Sequence, residues 1–559
     1  MNNMVSGATA LLKLLKYAGI DNVFGYPGGS LIPLYDAIYQ QDEIKHYLVR
    51  HEQGAAHAAE AYGKVTNTIG CCIATSGPGA SNLVTGITNA FMDSNPLLCI
   101  TGQVNLDAIG KMSFQEVDII SIVRPITKKV AQLKNANDLG DVIFDLINEA
   151  TSGRKGPVLL DVPKDVFMQQ VDFNKVLSDY KNKELETKKE STKISKKDID
   201  LFLKYLKEAK KPVLLLGAGI IKSDCEKEII KIVNFFKIPV VTTLHGLGLC
   251  SSTPYYYGMA GMHGSLIANK ALYNSDLVIS LGSRFDDRLV GNNKKFVKYG
   301  RKIHIDIDEK ELGKNLKTNL MIKADLKDFI YELNNHLLEI DVQSWILQLD
   351  LFKKEIESNY NKIKSELIHP YYVFKEINKN NKSKIYVSDV GQHQMWCAQY
   401  LKLDSGNQFV SSGGAGTMGY GLPAAIGTSV AYPNKQVIAI LGDGGIQMTI
   451  QELIMLKQYN LNVKVIIFNN QRLGMVKQWQ ELFFEKRYSS TILDINPDFS
   501  HIAKAYNLDY IKIENKSEVK NISNIFESDG PLICEIMIDP DAKVLPMIPA
   551  NQSFEEIIV

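Results

Sequence analysis

The sequence lacks most of what would commit a chain to a secretory, membrane or polyanion-binding role. Seven cysteines, at 71, 72, 99, 225, 250, 397 and 534, include no C-x-x-C pair. That spacing suggests neither a zinc site nor a disulfide framework, so a reducing, cytoplasmic setting is expected. Cys71 and Cys72 sit in an apolar run and are expected only to pack. No stretch approaches the roughly twenty apolar residues of a membrane span, and no membrane partner is expected. The opening "MNNMVSGATALLKLLKYAGI" has no charged leader followed by a long apolar core, and its "GATALLKLLKYAG" reads as an amphipathic helix. Neither sign of charge dominates, with 63 basic and 62 acidic residues and a formal net charge of +1. Nucleic acid is therefore not an expected partner. No short-period repeat is visible, which excludes a solenoid.

What is present is strand–helix alternation, three times over. A chain of 559 residues is too long for one core, and three domains is the natural division. The fold class expected is α/β, with three doubly wound parallel-sheet domains. Residues 1–170 form the first, through "NVFGYPG", "IGCCIATSGPGASN", "PLLCITGQ" and "GPVLLDVP". Residues 171–197, rich in Lys and Glu, read as a linker. Residues 198–340 form the second domain, through "KPVLLLGAGI", "PVVTTLHGLG", "DLVISLGSRFDD" and "KIHIDID". A second linker spans 341–369, a third domain 370–540, and a tail 541–559.

The string "ILGDGG" (440–445) places a carboxylate between glycines at the end of an apolar strand. Open α/β sheets bind ligands at such carboxyl ends, and glycine lets backbone approach a bulky or charged group. A single crossover, 445–468, leads to the strand "VKVIIFNN", so Asp443 and the Asn470 amide oxygen finish on the same sheet edge. A carboxylate and an amide oxygen are suited to Mg²⁺, which completes its octahedron with phosphate oxygens. Gly444 and Gly445 would offer backbone N–H groups to the same phosphates. The plainer alternative is a tight turn capped by Asp443.

"GDG" followed by "NN" at this gap resembles the thiamine diphosphate (ThDP) motif of ThDP-dependent enzymes. "YLVRHEQGAAHAAEAYGK" supports the resemblance by setting Glu52 at a strand end before a helix. In that family such a Glu exchanges a proton with N1′ of the aminopyrimidine, which favours the imino form that removes the C2 proton. The strings "FGYPGG", "ATSGPGASNLVTG", "ITGQV", "SFQE", "GQHQMW", "SSGGAGTMGYGLPAAIG", "NNQRLGMVKQWQ" and "VLPMIP" extend it over nearly the whole chain. They resemble the large catalytic subunits of the acetohydroxyacid (acetolactate) synthase family.

The resemblance implies a pyrimidine-binding first domain, a central FAD-binding domain and a diphosphate-binding third domain. It implies ThDP, Mg²⁺ and FAD as cofactors. Glu52, Gln115, Arg288 and Trp479 would be catalytic, with Arg288 on the acceptor carboxylate and Trp479 over the acceptor. Gln392, His393, Gly416, Met418, Gly444 and Gly445 would bind ThDP, Met418 being the apolar wedge that bends it. Gly217, Gly219, Thr243, Leu244, His263, Arg284, Asp306 and Asp325 would contact FAD. Asp443, Asn470 and the Arg472 carbonyl would hold the metal. The implied reaction decarboxylates pyruvate and condenses the hydroxyethyl group with pyruvate or 2-ketobutyrate, for branched-chain amino acid biosynthesis. The implied assembly is a homodimer or dimer of dimers with a separate small regulatory subunit. Alternatives are a pyruvate oxidase, a flavin-free acetolactate synthase, or a non-catalytic nucleotide-binding protein. Asn105 and Asp107 stand where most relatives carry Pro and Arg, Lys111-Met112 replaces Thr-Asp, Gly445 replaces Ser, and Arg472 replaces His or Glu. The 105–112 changes bear on specificity and inhibitor binding, not on the reaction.

Overall fold

A computed structural model describes residues 3–187, 191–360, 365–380 and 383–559. The first domain contains strands β1 (Met4–Ser6), β2 (Asn22–Gly25), β3 (Lys45–Leu48), β4 (Gly70–Ala74), β5 (Leu97–Gln103), β6 (Lys129–Gln132), β7 (Pro157–Pro163) and β8 (Gln170–Asp172). β1 and β8 pair antiparallel, while the other six form a parallel sheet in the order 3-2-4-5-7-6. The expected amphipathic helix forms over Gly7–Tyr17, capped by the Ser6 side chain, which accepts from the Thr9 N–H.

The middle domain contains β9 (Pro212–Leu216), β10 (Val240–Thr242), β11 (Tyr256–Met259), β12 (Leu277–Leu281), β13 (Arg301–Asp306) and β14 (Leu320–Lys323), in the order 11-10-9-12-13-14. The third contains β15 (Ile385–Ser388), β16 (Phe409–Ser411), β17 (Val437–Gly442), β18 (Val463–Asn469), β19 (Asp509–Ile513) and β20 (Leu532–Met537), in the order 16-15-17-18-20-19. Numbered within each domain, the outer two sheets both read 2-1-3-4-6-5. The middle sheet reads 3-2-1-4-5-6, the order of dinucleotide-binding sheets. The central strands are buried on both faces, which is why β9 and β17 are almost unbroken apolar runs.

The outer domains share one core. Helix Glu52–Thr66 of the first packs on helix Gly421–Ala431 of the third, with Ala55, Ala58 and Ala59 against Leu422, Ala424 and Ala425. The seam is tight because its residues are small. A Cβ on Gly427 would stand 1.9 Å from the Ala58 carbonyl oxygen.

Both expected linkers contain ordered helix. In the first, Phe173–Glu186 is helical and buries Val176 and Tyr180 against the helix Leu139–Thr151. In the second, Gln343–Tyr360 is helical, with Trp345 and Leu349 buried in the middle domain's core. A few apolar residues at helical spacing suffice to dock a helix even when composition is polar. Residues 188–190 and 361–364 lie outside the described residues. The 541–559 tail returns to the middle domain, where Gln552 accepts from the Asn292 N–H and Lys295 pairs with Glu555 and Glu556.

Candidate active site

Three carboxyl-terminal sheet edges carry the predicted residues. At the third domain's edge, β15 and β17 lie side by side at the point where the strand order reverses, the position at which open sheets bind ligands. β15 delivers Asp389, Gln392 and His393, β17 delivers Asp443, and the neighbouring β18 delivers Asn470. Asp443 is buried, and its carboxylate accepts from Asn496 Nδ2 at 2.7 Å. Burial pushes its pKa up to about 6. Among the described residues, no Lys, Arg or His reaches it as an ion pair. A buried carboxylate without a counter-charge is costly unless a cation supplies one. The Asn470 amide oxygen faces the Arg472 N–H at 3.2 Å, and its Nδ2 donates to Gln392 at 3.3 Å. Among the described residues there is no cluster of three or more His, Cys, Asp or Glu suited to a metal. A carboxylate with amide and carbonyl oxygens is a donor set for Mg²⁺.

His393 lies under Gly442, whose Cβ would stand 3.0 Å from the ring. Its Nε2 is buried without a partner, and burial lowers its pKa to about 3, so the ring is neutral. Gly445 is glycine because the Asp389 carboxylate occupies the space a side chain would need, 2.2 Å from an added Cβ. Gly416 has φ +63°, a conformation suited to glycine. Met418, two residues on, is half-buried.

At the first domain's edge, Glu52 opens the helix Glu52–Thr66 behind the N-cap His51. It is 8% exposed and accepts from Asn82 Nδ2 at 2.9 Å. Gln115 has φ +60°, and its backbone folds against Gly77, 3.0 Å from where a Cβ would be. The same 105–116 turn leaves Met112 95% and Phe114 88% exposed. Glu52 accepts from a first-domain asparagine and Asp443 from a third-domain one, and among the described residues no hydrogen bond joins the two carboxylates.

At the middle domain's edge, Gly217 and Gly219 follow β9, Thr243 and Leu244 follow β10, and His263 follows β11. Arg284 follows β12, Asp306 ends β13 and Asp325 follows β14. A Cβ on Gly217 would stand 2.0 Å from the Gly282 carbonyl oxygen, so the β9 and β12 turns cross at closest approach where the strand order switches. Burial raises the Asp306 carboxyl to about 6. His263 Nδ1 is buried without a partner. Arg284 donates to the Met92 carbonyl of the first domain at 2.8 Å, and Asp325 caps the helix Leu326–Asn334. Those two therefore have structural partners of their own.

Arg288 and Trp479, from different domains, are brought together. The guanidinium lies 5.9 Å from the indole centroid and donates to Met262 Sδ at 3.1 Å. The pairing with Asp287 is long, at 3.8 Å, and Arg288 is 60% exposed there, so it contributes little.

Comparison with known proteins matches all three domains. Residues 5–122 match the N-terminal TPP binding domain of thiamine pyrophosphate enzymes, 199–333 the central domain, and 389–536 the C-terminal TPP binding domain. The acetolactate synthase large subunit of Lactococcus lactis is 43% identical over 99% of this chain and 96% of its own length. That of Cyanidium caldarium is 41% identical, again over 99% and 96%. The chain belongs to the acetolactate synthase large-subunit family of thiamine pyrophosphate enzymes.

Two residues behind these edges were not singled out from the sequence. Asp389 receives the Gly419 N–H at 2.9 Å and anchors the loop that carries Met418. Its signal was available, since "SDVG" repeats the strand-Asp-glycine pattern of "LGDGG". Arg154 crosses from the first domain to Glu311 at 2.9 Å and Asp308 at 3.5 Å, beside Asp306. No local pattern marks it.

Proposed function

We infer that the protein is an acetolactate synthase catalytic subunit. It takes two pyruvates to 2-acetolactate and CO₂, or pyruvate and 2-ketobutyrate to 2-aceto-2-hydroxybutyrate and CO₂. The carrying observation is the full-length similarity to acetolactate synthase large subunits. Bound ThDP supplies the electron sink that makes decarboxylation possible.

In this reading the chain's residues bind, orient and move protons. Asp443, Asn470 and the Arg472 carbonyl hold Mg²⁺, consistent with a buried carboxylate lacking a counter-charge. Gln392, neutral His393, Gly416, Gly444 and Gly445 would line the diphosphate, and Met418 would pack as an apolar side chain against the cofactor's rings. Glu52 would hold and exchange a proton at N1′ of the aminopyrimidine, and Gln115 would approach the cofactor from the folded 105–116 turn. Arg288 offers its guanidinium fork to the acceptor carboxylate, and Trp479 covers the acceptor chain.

FAD belongs to the middle domain. The 3-2-1-4-5-6 order, the crossing of Gly217 over Gly282 and the unpartnered His263 nitrogen suit a dinucleotide. Gly219, Thr243, Leu244, Arg284, Asp306 and Asp325 stand on the same edge. The chemistry has no redox step, so FAD is structural. By resemblance to the family, the working unit is a homodimer, or a dimer of dimers, in which one chain's first domain would face its partner's third across the cofactor. The "large subunit" of the relatives' names supports a separate small regulatory subunit. The expected setting is cytoplasmic.

The test is purified protein with ThDP, Mg²⁺, FAD and pyruvate, with acetolactate measured by conversion to acetoin. Acetolactate should form, and 2-ketobutyrate should divert product to the C6 acid. Peroxide with acetyl phosphate would assign an oxidase instead, and full activity in protein free of flavin would remove the FAD assignment.

A further inference from the structure

The loop Ser412–Met418 joins β16 to the helix Gly421–Ala431. In the reading above it carries two ThDP contacts, Gly416 and Met418. From outside its own domain it is held by one helix turn of the first domain, with the Lys64 ammonium donating to the preceding Ser411 carbonyl at 3.2 Å and the His245 ring of the middle domain lying directly against Gly413. Asn89 lies near the end of helix Val84–Met92 and Asp93 is its C-cap. They are four residues apart and so share a face. Asn89 Oδ1 accepts from Ser412 Oγ and, at 3.2 Å, from Thr417 Oγ1. The Asp93 carboxylate accepts from the backbone N–H groups of Gly413, at 3.0 Å, and Gly414, at 2.6 Å.

Both clamp residues are buried and are themselves oriented. Asn89 Nδ2 donates to both oxygens of Glu60, at 2.9 and 2.7 Å, which fixes its amide with the oxygen toward the loop. Asp93 faces His245 of the middle domain, whose Nε2 stands 3.1 Å from Asp93 Oδ1. The contact is electrostatic rather than a well-aligned hydrogen bond. The other ring nitrogen, Nδ1, lies 3.2 Å from Lys64 Nζ. An ammonium can only donate, so Nδ1 accepts and the ring proton sits on Nε2, facing Asp93. His245 directly follows Thr243 and Leu244, which are assigned to the flavin edge above.

We propose that Asn89 and Asp93 are positioning residues that clamp the 412–418 loop, and that His245 couples the middle domain to this clamp. The inference rests on the ThDP and flavin reading for its functional consequence but not for its geometry. His245 and Lys64 help to hold the Asp93 carboxyl well below the usual carboxylate range, against the effect of its burial. Asp93 therefore stays an acceptor for both glycine amides. A shift of the 243–245 segment moves His245 and loosens the amides of Gly413 and Gly414, which lie half-buried and exposed and exchange with solvent once released.

Amide hydrogen exchange on the full-length, cofactor-free protein reads this directly. Asp93→Asn and His245→Leu should accelerate exchange in the peptide covering 412–418 by roughly tenfold or more, while β17 peptides stay protected. His245→Gln should restore protection, because a Gln amide can both accept from Lys64 and donate to Asp93. ThDP affinity, titrated with Mg²⁺ by tryptophan fluorescence, should weaken roughly tenfold in His245→Leu and recover in His245→Gln. Unchanged exchange in the 412–418 peptide overturns the clamp. Equal effects of Leu and Gln overturn the coupling through His245. Should Asp93→Asn not fold, the His245 pair decides alone. Wild-type protein that binds no ThDP would sink the family reading while leaving the exchange result to judge the clamp.

Discussion

The first and third domains are the same sheet twice, strand for strand in the order 2-1-3-4-6-5, yet their edges present different side-chain surroundings. Each ends a parallel strand in a buried carboxylate at the start of a helix: Glu52 after β3, Asp443 after β17. Each carboxylate accepts from one asparagine amide, Asn82 or Asn496. What differs is the surroundings. Asp443 has glycines beside it and Asn470 on the neighbouring strand end, so it suits a metal and phosphates. Glu52 has a longer side chain that lies against Gly79, 3.2 Å from where a Cβ would stand, so it suits a ring nitrogen. Topology sets where a ligand can bind, and the two or three residues after each strand set what happens there.

The sharpest way to break this comparison is to remove each carboxylate and ask which quantity moves. Glu52→Gln keeps size but cannot exchange a proton. Turnover should fall by about 10²–10⁴-fold, with ThDP affinity within a few-fold of wild type by fluorescence titration. A lost cofactor affinity at unchanged turnover would reverse the assignment. Asp443→Ala should do the converse, weakening Mg²⁺-dependent ThDP binding by roughly 100-fold, the scale of a lost charged contact. Circular dichroism should show the fold intact. Unchanged binding would remove the metal from this edge. The smallest expected change lies across the domains, at the Arg288–Trp479 pair. Trp479→Leu should keep acetolactate formation and shift competition between 2-ketobutyrate and pyruvate by about tenfold, since the two differ by one methylene worth roughly 1–3 kcal/mol. A product ratio equal to wild type would place the acceptor pocket elsewhere.

The edges were legible in the sequence because backbone chemistry writes them locally. "LGDGG", "FNN" and "RHEQG" each mark a strand, a break and a helix start within a few residues. The three parallel sheets follow from alternation alone. The segments 171–197 and 341–369 misled because docking of Val176, Tyr180, Trp345 and Leu349 needs only sparse apolar residues, which a polar composition hides. Asn89, Asp93, His245 and Arg154 were invisible for another reason. Their partners lie up to 328 residues away in sequence, as for Asn89 and Thr417, and nothing local records such a pairing. Strand order is likewise a non-local property, so the contrast between 3-2-1-4-5-6 and 2-1-3-4-6-5 emerged only in three dimensions.

The seam between Gly427 and Ala58 has a mechanical consequence. With a carbonyl oxygen 1.9 Å from where a single methyl carbon would sit, the two helices meet backbone to backbone at Gly427, which leaves little room there to absorb sliding. Such a joint is stiff in shear. A stiff seam of this kind would leave the longer side chains that bridge to the middle domain, Arg154, Lys222 and Arg284, as the more compliant contacts.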